Sequence, residues 1–146
     1  MNALMGALLA LMVLAAILFG VYHVTGQPLG SRIIQSNPPV AGATEPNTAR
    51  FMFFYTSWCP HSVAASKTWK SFKQMMQNSP QTYGGMNIQF EDINAESNVG
   101  KTSLYGVTEY PTYKLETSTT VYEMVGNPTD VSIFRNFLIK SLGKEN

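Results

Sequence analysis

Cysteine is all but missing from this chain: Cys59 is the only one in 146 residues. No disulfide can form within the chain, and no site needing two thiols can be built from it alone. The lack of a cysteine pair also removes one mark of an oxidising compartment. Histidine is nearly as scarce, with His23 and His61 the two present. Together with Cys59 they have no metal-site spacing, so neither a metal nor a cofactor is expected. Charged side chains make up 13% of the residues, and basic and acidic ones balance from Phe51 onward. A neutral domain argues against a nucleic-acid partner. The densest basic run, Lys67, Lys70 and Lys73, recurs at helical spacing and reads as a solvated helix face. An Asn-x-Ser/Thr acceptor is also absent, because Pro128 blocks Asn127-Pro128-Thr129.

The longest gap in charge lies at the N-terminus. Residues 3–24 contain no Asp, Glu, Lys or Arg and are mostly Leu, Ala, Met, Val and Ile. About 20 such residues at ~1.5 Å rise span the ~30 Å hydrocarbon core of a bilayer. Residues 3–24 are therefore expected to form one transmembrane helix, with Tyr22 and His23 at an interface. A cleaved signal peptide is the competing reading. It would lack a basic n-region, its apolar run is long, and Val24-Thr25-Gly26 would have to serve as the cleavage site. An uncleaved signal-anchor in a single-pass membrane protein is the expectation. Arg32 and Arg50 lie on its C-terminal side, which tips the positive-inside rule toward a cytosolic domain. Residues 25–49 read as a linker, punctuated by Gly26, Pro28, Gly30, Pro38, Pro39, Gly42 and Pro46. Its one apolar island, Ile33-Ile34, fits a short strand or a partner contact.

What is present is concentrated around the lone thiol. Trp58-Cys59-Pro60-His61-Ser62 follows the apolar run Phe51-Met52-Phe53-Phe54-Tyr55 and precedes apolar residues at helical spacing. A cysteine at such a strand-to-helix turn faces the positive end of the helix dipole, which favours thiolate over thiol. Pro60 suits the first helical position, where its missing N–H is no loss. His61 would bring a second positive charge near the sulfur. This stretch resembles the active site of the thioredoxin superfamily, with Ser62 in place of the second cysteine of Cys-x-x-Cys.

The resemblance runs from about Arg50 to Leu142. Phe54-Tyr55-Thr56-Ser57-Trp58-Cys59 looks like the approach to the active site in protein disulfide isomerase domains. Cys59-Pro60-His61 is similar to the bacterial disulfide oxidase variant. Tyr105-Gly106-Val107-Thr108-Glu109-Tyr110-Pro111-Thr112 is similar to the family's Tyr-Gly-Val…Tyr-Pro-Thr segment, and Val121 to Gly126 resembles its last strand. The resemblance implies a cis Pro111 lying against Cys59. It also implies a substrate groove formed by Trp58, Pro60, Tyr110, Pro111 and Thr112, with backbone at Tyr110 or Thr112 holding an extended peptide. In the family a buried acid precedes the active site; counting back from Cys59, that position here is Phe53.

Periodicity supports the same architecture. Ala65, Trp69, Phe72 and Met76 fall at helical spacing. Met86, Ile88 and Phe90 alternate with polar residues, the period of a strand. Ser97 to Tyr105 is a short helix stopped by Gly106, and Tyr113–Glu116 with Val121–Val125 forms a hairpin. Val131, Phe134, Phe137 and Leu138 mark a closing helix, capped by Thr129 or Asp130 and ended by Gly143. The expected fold is α/β and thioredoxin-like, β-α-β-α-β-β-α with a mixed sheet, over residues 50–146.

Two functions follow from the resemblance and its departures. In the first, a membrane-tethered protein performs monothiol thiol-disulfide exchange or captures clients, with catalytic Cys59, His61 and Ser62. Its partners would be protein thiols or disulfides, and glutathione. In the second, the fold is a non-catalytic binding or assembly module at a membrane. Tethered relatives lacking a full motif occur in secretory pathways and in large DNA viruses.

Overall fold

The computed structural model describes residues 12–17, 32–40 and 44–146. The chain divides into two compact units, Met1–Gly30 and Ser31–Asn146. Residues 12–17 of the first are helical and exposed. Among the described residues no helix is long and apolar enough to cross a membrane. Most of the apolar segment 3–24 lies outside the described residues, as do Tyr22, His23 and Val24-Thr25-Gly26.

In the second unit the elements run β1 (Arg32–Ser36), β2 (Thr48–Tyr55), α1 (Pro60–Asn78), β3 (Thr82–Tyr83), β4 (Met86–Asn94), α2 (Val99–Leu104), β5 (Thr112–Glu116), β6 (Val121–Val125) and α3 (Val131–Leu142). One sheet of order β1-β6-β5-β2-β4-β3 carries all six strands. β2 runs parallel to β4 and antiparallel to β5, and the remaining pairs are antiparallel. The expected β-α-β-α-β-β-α order is therefore present as β2-α1-β4-α2-β5-β6-α3, with an added strand at each edge.

β2 explains the layering. Its side chains alternate between the sheet's two faces, and both faces are covered. Ala49, Phe51 and Phe53 join Ala65, Trp69, Phe72 and Met76 of α1 and Phe134, Phe137 and Leu138 of α3 in one buried cluster. Met52 and Phe54 point the other way, to a second cluster with Ile93, Tyr105, Val107 and Val121. Phe51 is the hub of the larger cluster, with its ring 5.0 Å from Trp69, 5.8 Å from Phe134 and 5.5 Å from Phe137. Trp69 keeps its polar end satisfied by donating its indole N–H to Asp92. Asp92 also pairs with Lys73, so one of the three lysines read as a solvated face is tied to the sheet.

The linker reading of 25–49 is corrected in part. Residues 32–36 form β1, paired along β6 from Arg32↔Val125 to Ser36↔Val121, and Thr48 and Ala49 already belong to β2. Of the two readings open for Ile33-Ile34, a short strand or a partner contact, the strand is the one present, its partner β6 lying far along the chain. Ile33 packs against the core while Ile34 stays exposed. β3 was missed. It turns into β4 through Gly84 and Gly85, both at positive φ, as a two-residue hairpin requires. A side chain at Gly84 would place its Cβ 1.9 Å from the carbonyl oxygen of Leu142.

A polar knot lies inside the fold, unseen in the sequence. Glu116 is fully buried and accepts hydrogen bonds from Tyr105 (2.9 Å), Arg50 Nε (3.1 Å) and Thr44 (3.3 Å). Arg50, expected only as a flanking charge, is therefore a partner of the core. Burial, reinforced by Glu116, pushes the Tyr105 hydroxyl up to about 12. The three donors come from separate parts of the chain, and together they fasten the start of β2 and the residue that ends α2 to β5.

Phe51→Ala should lower the unfolding free energy by about 3–5 kcal/mol, the usual loss for a buried aromatic. Val99→Ala, at an exposed position, should change it by less than about 0.5 kcal/mol. Urea unfolding of the two variants beside the parent protein checks the contrast.

Candidate active site

β2 ends at Tyr55, whose carbonyl accepts the Ala95 N–H at 2.8 Å just past the end of β4. The chain then turns through Thr56, Ser57 and Trp58 to Cys59, the N-cap of α1, with Pro60 at the first helical position. Cys59 has extended backbone, φ −80° and ψ 118°, and its carbonyl accepts the Val63 N–H at 3.1 Å. The α1 amides thus begin directly beneath the sulfur. No acidic side chain occupies the first turn of α1, so nothing there offsets the positive helix end.

The thiol is 8% exposed. As a thiol, Cys59 donates to the Tyr110 carbonyl, with sulfur and oxygen 3.6 Å apart. Its pKa is held below the ordinary cysteine value. The Ser62 backbone N–H contributes most, burial opposes it, and the His61 backbone N–H and Ser62 hydroxyl add to the lowering.

Tyr110–Pro111 is a cis peptide bond. Cys59, Ser62, Tyr110 and Pro111 therefore meet at one place. Thr112 opens β5 opposite Phe54 of β2, and its hydroxyl donates to the Glu109 carbonyl at 2.7 Å. Tyr110, Pro111 and Thr112 are half-buried, while Pro60 and His61 are exposed. Trp58 is 68% exposed, unusually open for a large apolar ring. Beside this turn is an open depression of about 440 Å³, lined by Tyr55, Thr56, Ser57, Val63, Ser66, Lys67 and Lys70.

Ser62 stands where a second thiol would complete a pair. It is fully buried, and its Oγ accepts the Thr56 N–H at 3.4 Å. The His61 backbone N–H is among the groups that lower the Cys59 thiol, and the His61 side chain is exposed. Phe53 is buried and stacks on Tyr113 at 5.0 Å and on Tyr55 at 5.2 Å, so no carboxylate lies under the turn at that position. Among the described residues, no group of His, Cys, Asp or Glu could hold a metal ion.

Sequence reasoning missed Glu96. One carboxylate oxygen accepts both the Ser57 N–H at 2.7 Å and the Ser57 hydroxyl at 2.6 Å. The Glu96 N–H in turn donates to Asn94 Oδ1 at 2.9 Å. The signal available was Asn94-Ala95-Glu96-Ser97, an Asx-turn pattern at the end of a strand.

No family model and no curated protein matches the chain. Solved structures do. The Trx4 domain of ERdj5 is similar with a TM-score of 0.51 and 16% identity, over 66% of this chain and 81% of that one. The first two thioredoxin domains of Naumovozyma dairenensis Eps1p give 0.55 and 17%, over 73% of this chain and 41% of theirs. Human ERp44 gives 0.53 and 16%, over 70% of this chain and 26% of that one. The chain thus spans less than half of the Eps1p and ERp44 chains it matches. At these identities the likeness shows the fold, which is thioredoxin-like.

Alkylation of Cys59 followed against pH should give a midpoint below the ordinary ~8.5. Ser62→Ala should raise that midpoint only partly, because the Ser62 N–H remains. His61→Ala should leave it nearly unchanged, for the same reason. The sign carries into stability: a thiol depressed in the folded state stabilises it above the unfolded thiol's pKa. That contribution is lost as pH falls through the lower, folded value.

Proposed function

We propose that this chain is a membrane-tethered monothiol exchange protein whose nucleophile is Cys59. The observation that carries the reading is the position of its sulfur. It sits at the amide end of α1, against the Tyr110–Pro111 cis peptide, with a buried hydroxyl in place of a resolving thiol. The Cys59 thiolate attacks one sulfur of a disulfide R–S–S–R′. A Cys59–S–S–R bond forms as the original S–S bond breaks, and R′–S⁻ leaves and takes a proton from solvent. Ser62 cannot reverse this, since a hydroxyl is not a usable thiolate at neutral pH. Release requires a thiolate from outside, of a protein or of glutathione, which attacks the mixed disulfide and expels Cys59. The chain undergoes no net oxidation. A depressed thiol pKa also makes Cys59 a good leaving group, so its adducts turn over readily when free thiol is abundant.

Trp58, Pro60 and Pro111 would frame the groove, with the backbone at Tyr110 and Thr112 available to an extended client by strand-like hydrogen bonds. The charge-free run of residues 3–24 supports a single-pass tether. Arg32 and Arg50 beyond it favour a domain facing the cytosol. A second reading has its own support. Trp58, exposed beside half-buried Tyr110 and Pro111, suits recognition of an extended peptide without covalent chemistry.

Incubation with oxidised glutathione should add one glutathionyl group to the protein, detected by mass, and none to Cys59→Ala. The adduct should persist until free thiol is supplied, whereas Ser62→Cys should shed it unaided. A Cys59 that reacts only after unfolding would decide for the binding reading.

A further inference from the structure

We propose that Glu96 is a positioning residue for the turn that presents Trp58 and Cys59. The inference deepens the exchange reading, because it rests on Cys59 being the reactive group. Three short segments converge at this turn. The Ala95 N–H holds the Tyr55 carbonyl at 2.8 Å, and the Thr56 N–H reaches Ser62 Oγ at 3.4 Å. Ser57 gives both its N–H and its hydroxyl proton to one oxygen of Glu96.

Glu96 is itself held from behind, its N–H on Asn94 Oδ1 at 2.9 Å, while Asn94's carbonyl accepts the Asn98 N–H at 3.0 Å. The loop between β4 and α2 therefore acts as a fixed bracket, and Ser57 is the point where it grips the active-site turn. From Tyr55 to Ser57 every residue is pinned through its own backbone, and Cys59 is pinned by its carbonyl on the Val63 N–H. Trp58 lies exposed between these two anchored neighbours.

The chemistry of the clamp fits this role. The Ser57 hydroxyl, and then its N–H, hold the Glu96 carboxyl below the usual carboxylate range, so the shared acceptor oxygen belongs to a charged carboxylate at neutral pH. Glu96 has no cationic partner among the described ion pairs; its hydrogen bonds go to Ser57. Its hydrogen bonds reach Ser57, two residues before Cys59, and none reaches the sulfur. Its influence on the sulfur is therefore geometric: it keeps the turn where the α1 amides meet the thiolate.

That separation gives opposite signs for the two ways Glu96 could act. Removing a nearby negative charge would make the thiolate easier to form. Loosening the turn would make it harder, by taking the sulfur away from the α1 amides.

The test compares the full chain with Glu96→Ala and Glu96→Gln in detergent, since the amide oxygen of Gln can still accept from Ser57. Two readouts are taken: alkylation of Cys59 at neutral pH, and amide exchange across residues 56–58 by mass spectrometry. Glu96→Ala should be alkylated roughly threefold more slowly, as a modest rise in thiol pKa dictates. It should also exchange faster at 56–58 while residues 51–54 stay protected, and Glu96→Gln should restore both. Faster alkylation of Glu96→Ala, or exchange at 56–58 unmoved by it, would overturn the proposal. If Cys59 is unreactive in all three proteins, the exchange reading fails, and the amide readout alone decides the role of Glu96.

Discussion

A strand buried on both faces and hydrogen-bonded on both edges can leave its sheet only at its ends. β2 is such a strand, between β4 and β5, with Phe51 and Phe53 committed to one face and Met52 and Phe54 to the other. Its register fixes what lies at its exit. Phe54 is opposite Thr112, so the residues just before Thr112 are brought beside the residues just after Tyr55. Pairing of two strands thereby places Tyr110 and Pro111 against Cys59, 51 positions away in the chain. The site is a by-product of register: slipping the pairing by one residue would invert every side chain in β5 as well as separate the sulfur from the cis peptide.

What could be read in advance was whatever is written locally. The helical spacing of Ala65, Trp69, Phe72 and Met76, the Asp130 cap of α3 and the Gly106 stop after α2 all occur as expected. The Asp130 carboxylate accepts the Ser132 N–H at 2.6 Å, as a cap should. The parts left open or missed depend on distant partners. The strand at Ile33-Ile34, one of two readings, needs β6, and the unforeseen β3 needs β4 together with residues 144–146, where Thr82 and Asn146 exchange backbone hydrogen bonds. In the sequence Arg50 reads only as a charge flanking the apolar segment and Glu116 only as a strand end, and the folded sheet alone brings them together, with Glu116 buried.

The apolar side chain of Phe53 beneath the turn is consistent with the hydroxyl above it. A buried carboxylate in that layer would need a proton partner or suffer desolvation. Phe53 instead fills the position by stacking on Tyr113, whose own hydroxyl is buried without a partner and is pushed well up by burial. The floor of the site at this position is therefore a packed aromatic layer.

On the proposed exchange reading, the buried hydroxyl of Ser62 also sets what kind of quantity Cys59 would respond to. A pair of thiols closing on itself consumes one small disulfide and liberates two small thiols, so its poise depends on the square of the thiol concentration. A lone sulfur exchanges one for one. Its occupancy follows the bare ratio of disulfide to thiol around it, a number that dilution leaves untouched. Two compartments with the same ratio but very different total thiol would look identical to Cys59, although a dithiol would tell them apart.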